Sequence, residues 1–167
     1  FNLDRSGTHN LPFGLLADWN DCLELGQKGE TVFVAMQLRY ALKTYIEISE
    51  MLNKPSEVTW GTEKLTALDK AIDEYAWDGE YYLRAYRDDG MKFGSKECDE
   101  GQLWLNPQSW AVFSGHASGE KATLAMEAVN KRLASKYGVT VCEPYEHADP
   151  SVIKATLFPK GSKENGS

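Results

Sequence analysis

A chain of 167 residues is long enough for one domain with a genuine hydrophobic core. Its 25 acidic residues outnumber 18 basic ones, giving a formal charge of −7, which argues against a nucleic-acid or anionic-membrane surface built on clustered Lys and Arg. No apolar run approaches the roughly 18 residues of a membrane span and no charged-then-apolar leader is read, so neither a nucleic acid nor a membrane is an expected partner.

From Gly29 to Asn53 the apolar positions Val34, Leu38, Ala41, Leu42, Tyr45, Ile48 and Leu52 recur at helical spacing, predicting one long amphipathic helix ended by Asn53 and Pro55. A second helix is predicted from about Glu57 to Tyr75, with Leu65, Leu68, Ile72 and Tyr75 on one face. The stretch "EYYLRAYRDDGMKFGS" is aromatic and partly alternating, and Asp89-Gly90 signals the tight turn of a short hairpin. A third helix, about Ser118 to Lys136, places Ala122, Met126, Val129 and Leu133 on its buried stripe and is stopped by Gly138. In "ADPSVIKATLF" Asp149 is an N-cap candidate before Pro150, for either a helical turn or an extended segment. Long helices with small hairpin insertions predict an α-rich array; periodicity alone leaves a bundle, a solenoid and a helical toroid open. The chain opens at Phe1 and stops at "KGSKENGS", which reads as an internal piece of a longer protein, with a tag-cleaved terminus as the alternative.

Four stretches carry groups fit for chemistry. In "GLLADWNDCLELGQKGE" Asp18, Trp19, Asn20 and Asp21 precede the first long helix, in a loop of the kind that holds reactive groups. Locally these residues fit a turn in which an aspartate accepts backbone hydrogen bonds and Trp19 fills a core pocket. That turn is the simpler local reading; the other is carbohydrate chemistry, in which an indole stacks on a sugar face, amide and carboxylate groups bind hydroxyls, and a carboxyl of raised pKa protonates a glycosidic oxygen. Trp77, Tyr81, Tyr82 and Tyr86 form either a sugar platform or apolar filling, and filling is the simpler reading; Arg84 and Arg87 are expected to form solvated pairs with Asp78, Asp88 and Asp89. Trp104, Gln108 and Trp110 lie in a Pro-broken segment that could wall a ring. "FPKGSKENGS" puts Lys160, Lys163, Glu164 and Asn165 among glycines, in a loop that could grip a phosphate or a sugar or could be merely polar.

Other chemistries find little support. His9, His116 and His147 have no metal-ligand spacing, so no metal site is expected. Ser114 lacks a nucleophile-elbow context. Cys22, Cys98 and Cys142 are an odd, well-spaced set without a C-x-x-C pair, so reduced thiols in a cytoplasm are expected rather than a disulfide framework.

Three stretches, in their order and spacing, carry a resemblance: "GLLADWNDCLELGQKGETVFVAMQLRYAL", "AWDGEYYLRAYRDDGMKFGSKECDEGQLWLNPQSWAVFSG" and "FPKGSKENG". Over essentially its whole length the chain resembles glycoside hydrolase family 94, the cellobiose phosphorylase family, formerly placed among the glycosyltransferases. Relatives in that family act on chitobiose, cellodextrins and laminaribiose.

The resemblance implies a mainly α fold, a section of an (α/α)6 helical toroid with short β-hairpin insertions. Residues 1–167 would be part of the catalytic domain, with the N-terminal β-sandwich and the rest of the barrel outside the chain. It implies Asp21 as the general acid, Trp19 lining the sugar site, Glu164 contacting the acceptor sugar, and Asp18 either holding the loop or binding a hydroxyl. The implied partners are a β-linked glucose disaccharide and inorganic phosphate, the phosphate being a co-substrate and no cofactor being needed; the parent would be a homodimer. An inverting hydrolase needs a second carboxylate to activate water, whereas a phosphorylase uses phosphate as the nucleophile. A hydrolase on a similar toroid and a non-catalytic sugar-binding module remain the alternatives.

Overall fold

The computed structural model describes residues 6–14, 18–20 and 23–145. Asp21, Cys22, His147, the segment from Asp149 and the loop with Lys160, Lys163, Glu164 and Asn165 lie outside the described residues. In chain order the elements are β1 (Glu30–Thr31), α1 (Val32–Met51), α2 (Pro55–Tyr75), β2 (Ala85–Tyr86), β3 (Lys92–Phe93), α3 (Leu105–Phe113), α4 (Gly119–Arg132), β4 (Ala134–Ser135) and β5 (Gly138–Val139). The described chain is therefore mainly helical, with short strands serving as ties.

Thr31 starts α1. Its backbone is extended, and its hydroxyl accepts from the Val34 N–H at 3.4 Å, answering one of the donors that a helix start leaves unsatisfied. At the other end the Asn53 N–H donates to the Glu50 carbonyl and the Lys54 N–H to the Ser49 carbonyl, both at 2.9 Å. With Asn53 at φ 54, this is a Schellman closure using Asn where Gly is commoner. Pro55 follows at the first position of α2, where its missing N–H costs nothing.

Helices α1 and α2 pack face to face through Val32, Ala35, Met36, Leu42, Leu68, Ala71 and Ile72, with Leu65 and Tyr75 partly buried beside them. The expected hairpin is present. Strands β2 and β3 pair antiparallel across the turn at Gly90, whose φ is 86. Strand β1 adds antiparallel to β2, with Thr31 opposite Ala85, and Pro12 receives the Thr31 N–H at 3.0 Å on the other edge.

Three expectations are corrected. The segment around Pro107 is not broken: it is helix α3, because Pro107 occupies the first turn, where no intrahelical donor is required. The buried face of α4 runs through Ala125, Ala128 and Val129 rather than through Met126, which is exposed; small alanines let this helix approach closely. That helix also ends at Arg132, and the chain turns at once into the β4–β5 hairpin, with Gly138 at φ 133 inside it. On α1, Val34 and Leu42 are buried but Tyr45, Ile48 and Leu52 are exposed, so the periodic stripe is covered only over its first half. Among the described residues no helix is long and apolar enough to cross a membrane.

Candidate active site

The loop carrying Asp18 and Trp19 is built against the start of α1 by short backbone ties. The Gly14 N–H donates to Gly29 O at 2.9 Å, the Asp18 N–H to Gly14 O at 3.0 Å, and the Leu23 N–H to Asn20 O at 3.1 Å. Leu25 is buried just beyond. Residues 20 and 23, which flank the two undescribed positions, are thus joined directly to each other.

The Asp18 side chain turns inward and meets Arg84, a fully buried residue 66 positions along the chain. Arg84 Nη2 lies 2.6 Å from Asp18 Oδ1 and Nη1 lies 2.7 Å from Oδ2, a two-pronged guanidinium–carboxylate pair. Asn20 N–H donates to Oδ1 at 3.0 Å, and the Thr31 hydroxyl donates to Oδ2 at 2.7 Å. These four donors fill the acceptor sites of the carboxylate, so a sugar hydroxyl would have to displace one of them. Thr31 Oγ1 in turn accepts from Arg84 Nη1 at 2.9 Å and from the α1 backbone, making it the junction of the cluster.

Arg84 is placed by its backbone. Its carbonyl accepts the Val32 N–H at 3.2 Å, and its N–H donates to Phe93 O at 3.0 Å. The guanidinium carbon lies 5.3 Å from the Phe33 ring centre and 5.6 Å from that of Trp104, so aromatic faces cover the cation. Gly94, at φ 63, leaves room for this arrangement, since a Cβ there would come within 2.7 Å of Trp104 Cδ1. Burial alone would push the Asp18 carboxyl up; the Arg84 charge and the hydrogen bonds from Arg84, Asn20 and Thr31 outweigh it and hold Asp18 below the usual carboxylate range. Asp18 is therefore ionised at neutral pH and is no proton donor. Trp19, next to it, is 54% exposed, unlike a core tryptophan.

The expectation for Arg84 is corrected here. Only Arg87 makes the anticipated solvated pair, with Asp89 at 3.1 Å. Asp78 is instead buried, accepting from Ser95 Oγ at 2.8 Å and from the Lys96 N–H at 2.7 Å. Tyr81, Tyr82 and Tyr86 are core filling, and burial, with a contribution from nearby carboxylates, pushes the Tyr82 and Tyr86 phenols up to about 12. Trp104 is buried, and Gln108 behaves as a strand would: its amide accepts from the Tyr82 N–H at 2.8 Å and donates to the Tyr82 carbonyl at 2.6 Å. These residues form no exposed sugar wall. His116 is half-buried, its ring nitrogens 3.3 Å from Asp69 and 3.4 Å from Asp73.

Sequence reasoning missed Thr31, the Asp18–Arg84 link and the buried Glu30, whose carboxylate accepts from the N–H groups of His9 and Leu11 and lies 2.6 Å from His9 Nδ1. Only the S/T-type cap preceding an apolar run signalled Thr31 locally. A cavity of about 350 Å³ lies elsewhere, among Asn10, Pro12, Leu38, Lys64, Leu68 and Tyr75, and no residue of the 18–20 loop lines it.

The described residues thus combine a helical scaffold, an acidic loop fixed to it through Asp18 and Arg84, and the exposed Trp19 indole beside that pair. The whole chain, residues 1–167, matches the family model described as the glycosyl hydrolase 94 superfamily, catalytic domain, and the chain belongs to that family. It is 37% identical over 166 residues to solabiose phosphorylase of Paenibacillus borealis, covering 96% of this chain and 22% of the relative. It is 34% identical over 170 residues to N,N'-diacetylchitobiose phosphorylase of Vibrio proteolyticus, covering 100% of this chain and 21% of the relative. It is also similar, at 33% identity over 172 residues, to cyclic beta-(1,2)-glucan synthase NdvB of Rhizobium meliloti, covering 98% of this chain and 6% of that protein. The chain thus spans about a fifth of the length of the two phosphorylases.

Proposed function

We propose that this chain carries the proton-donating part of an inverting disaccharide phosphorylase. The observation that supports the reading best is the pinned loop, in which Asp18 is saturated by four donors while the adjacent Trp19 ring faces outward, in a chain of a family whose named relatives include phosphorylases. In this reading Trp19 stacks on a sugar ring and Asp21 is the general acid. Asp21 gives its proton to the oxygen linking two sugars; phosphate attacks the anomeric carbon from the opposite face; that carbon's bond to the linking oxygen breaks. A β-linked glucose disaccharide yields α-glucose 1-phosphate and free glucose, with no second carboxylate needed. For Asp21 to hold its proton near neutral pH, its pKa must rise above the ordinary value of about 4 through burial or the approaching phosphate.

Glu164 would contact the acceptor sugar. The (α/α)6 toroid of which these helices would be a section, a preceding β-sandwich and a homodimeric parent belong to the same proposal. Cellobiose is the first substrate to test, with solabiose and diacetylchitobiose beside it because relatives are named for them.

In the full-length protein, Asp21→Asn is expected to lower phosphorolysis by about 10²–10⁴-fold with an unchanged circular dichroism spectrum. Near-normal turnover would refute the assignment. Leaving out phosphate separates the chemistries: a phosphorylase then releases no product, whereas a hydrolase on the same scaffold continues.

A further inference from the structure

The geometry points to Arg84 as a positioning residue for the proton donor: through Asp18 and Thr31 it fixes residues 18–20, which lead into Asp21 in sequence, against the first turn of α1. This rests on the assignment of Asp21 as the acid.

A buried ion pair is weak evidence for stability, since an apolar pair of similar volume often serves as well. What a two-pronged guanidinium–carboxylate contact adds is direction, because both bonds are met only when the two planar groups share one orientation. Here that orientation is over-determined. Arg84 cannot swing, being fully buried with Phe33 on one side, Trp104 on another and its backbone bonded to both β1 and β3 neighbours. Asp18 cannot rotate without breaking a bond to Arg84, Asn20 or Thr31. Thr31 cannot turn without losing Arg84, Asp18 or the helix cap.

The consequence falls on the positions immediately after Asp18. Asn20 is held from one side by the Asp18 carboxylate and from the other by the Leu23 N–H, so the residue that precedes Asp21 in the chain is tied twice. A displacement of about 1 Å at a reacting group costs on the order of 10²-fold in rate, because the bound geometry must be close to that of attack. Arg84 is fully buried, so the role inferred for it is to position the loop and not to contact substrate. Its effect is on where the acid stands, which alters turnover more than ground-state binding of a disaccharide whose acceptor half is contacted elsewhere.

The test uses the full-length protein and a set of variants read by kcat, KM and Tm. Arg84→Lys keeps the charge but loses the fork; Asp18→Asn keeps the shape but sets a donor against donors. Each is expected to lower kcat by about 10²-fold with KM for the disaccharide within about threefold. The double variant should be no slower than the slower single one, because both remove the same constraint. A role confined to stability would lower Tm and leave kcat per folded molecule unchanged, and that result overturns the inference. So does a double variant whose losses multiply. Thr31→Val, which removes one hydroxyl at nearly constant volume, guards against misfolding of the buried variants; it should lose about tenfold in kcat, and full activity would overturn the inference. Asp21→Asn is measured alongside. An inactive Asp21→Asn with a fully active Arg84→Lys defeats only the positioning role, whereas an active Asp21→Asn defeats the assignment on which it stands.

Discussion

At the start of α1, Val32, Phe33, Val34, Ala35 and Met36 are buried without a break, whereas near its end Ile48, Met51 and Leu52 stand exposed. The first end is secured by side chains in addition to backbone: the Thr31 hydroxyl caps it and is bonded to the Asp18–Arg84 ion pair, while the Arg84 backbone carbonyl takes the Val32 N–H. The far end is closed by backbone alone, through the two Schellman bonds around Asn53. One helix therefore combines a dry, polar-specified end with a wet end that needs only correct backbone angles. The side-chain network lies at the end bearing the candidate site, where orientation matters to chemistry; elsewhere capping is enough.

Two methionines on this helix make the contrast measurable. Met36 is fully buried and Met51 is 85% exposed. Met36→Ala is expected to cost about 2–5 kcal/mol of unfolding free energy, from lost apolar transfer and the cavity left behind. Met51→Ala should stay within about 0.5 kcal/mol. Urea unfolding with unchanged m-values checks both. A loss at Met51 matching that at Met36 would break the comparison, showing that the far end of α1 is covered in the whole protein.

Much of the fold was legible in the sequence because helical periodicity and turn chemistry are local. The long helices, the stop at Asn53 and Pro55, and the Asp89-Gly90 hairpin all follow from neighbouring residues. Helix α3 was not legible because Pro107 looks like a breaker unless its place in the first turn is known. The shift from Met126 to Ala125 and Ala128 reflects tertiary packing, which selected the smaller residues for close contact over the more hydrophobic one. At the candidate site Trp19 and Asp18 stood out by type and spacing. Their anchor did not: nothing near Arg84 indicates a partner 66 residues away, and the acidic residues beside it suggested the wrong one. Glu30 and His9 were hidden for the same reason.

Two acid–arginine pairs sharpen the contrast in pH. Asp18 pairs with Arg84 in a dry site, and Asp69 pairs with Arg39 at 2.7 Å, where the carboxylate side chain keeps 30% of its exposure and His116 also approaches. In both, burial pushes the carboxyl up and the partners more than compensate, Arg84 with the Asn20 and Thr31 hydrogen bonds at Asp18, and His116 and Arg39 at Asp69, leaving the folded value below the unfolded one. Such a group contributes stability that is complete above about pH 5 and is lost as pH falls through the folded pKa. Asp18→Asn should therefore cost about 1.5–3 kcal/mol at pH 7, from lost charge-assisted bonds. Its Tm deficit should narrow as pH falls below the unfolded carboxyl's ordinary value of about 4, because the unfolded wild-type chain then takes up the proton first and the folded Asp18 follows only at lower pH. Asp69→Asn should show the same sign with a smaller deficit, since solvent screens it. A deficit that widens in acid, or one larger at Asp69, would mean that the drier pair is not the stronger one.

The smallest effect belongs to the backbone-closed end. Asn53 sits at φ 54, a conformation that strains ordinary L residues, that Asn tolerates and that Gly adopts without penalty. Asn53→Gly removes residual strain but also loosens the unfolded chain, and these effects oppose each other, so stability should move by no more than about 0.5 kcal/mol. Asn53→Ala keeps the strained conformation and loses the side-chain amide that lets Asn tolerate it, so about 1 kcal/mol should be lost. Neither variant should alter kcat, because the closure touches no group at the start of α1. If Asn53→Ala slowed turnover while Tm fell by only a few degrees, the two ends of the helix would have to communicate along its length, and the division of labour between them would fail.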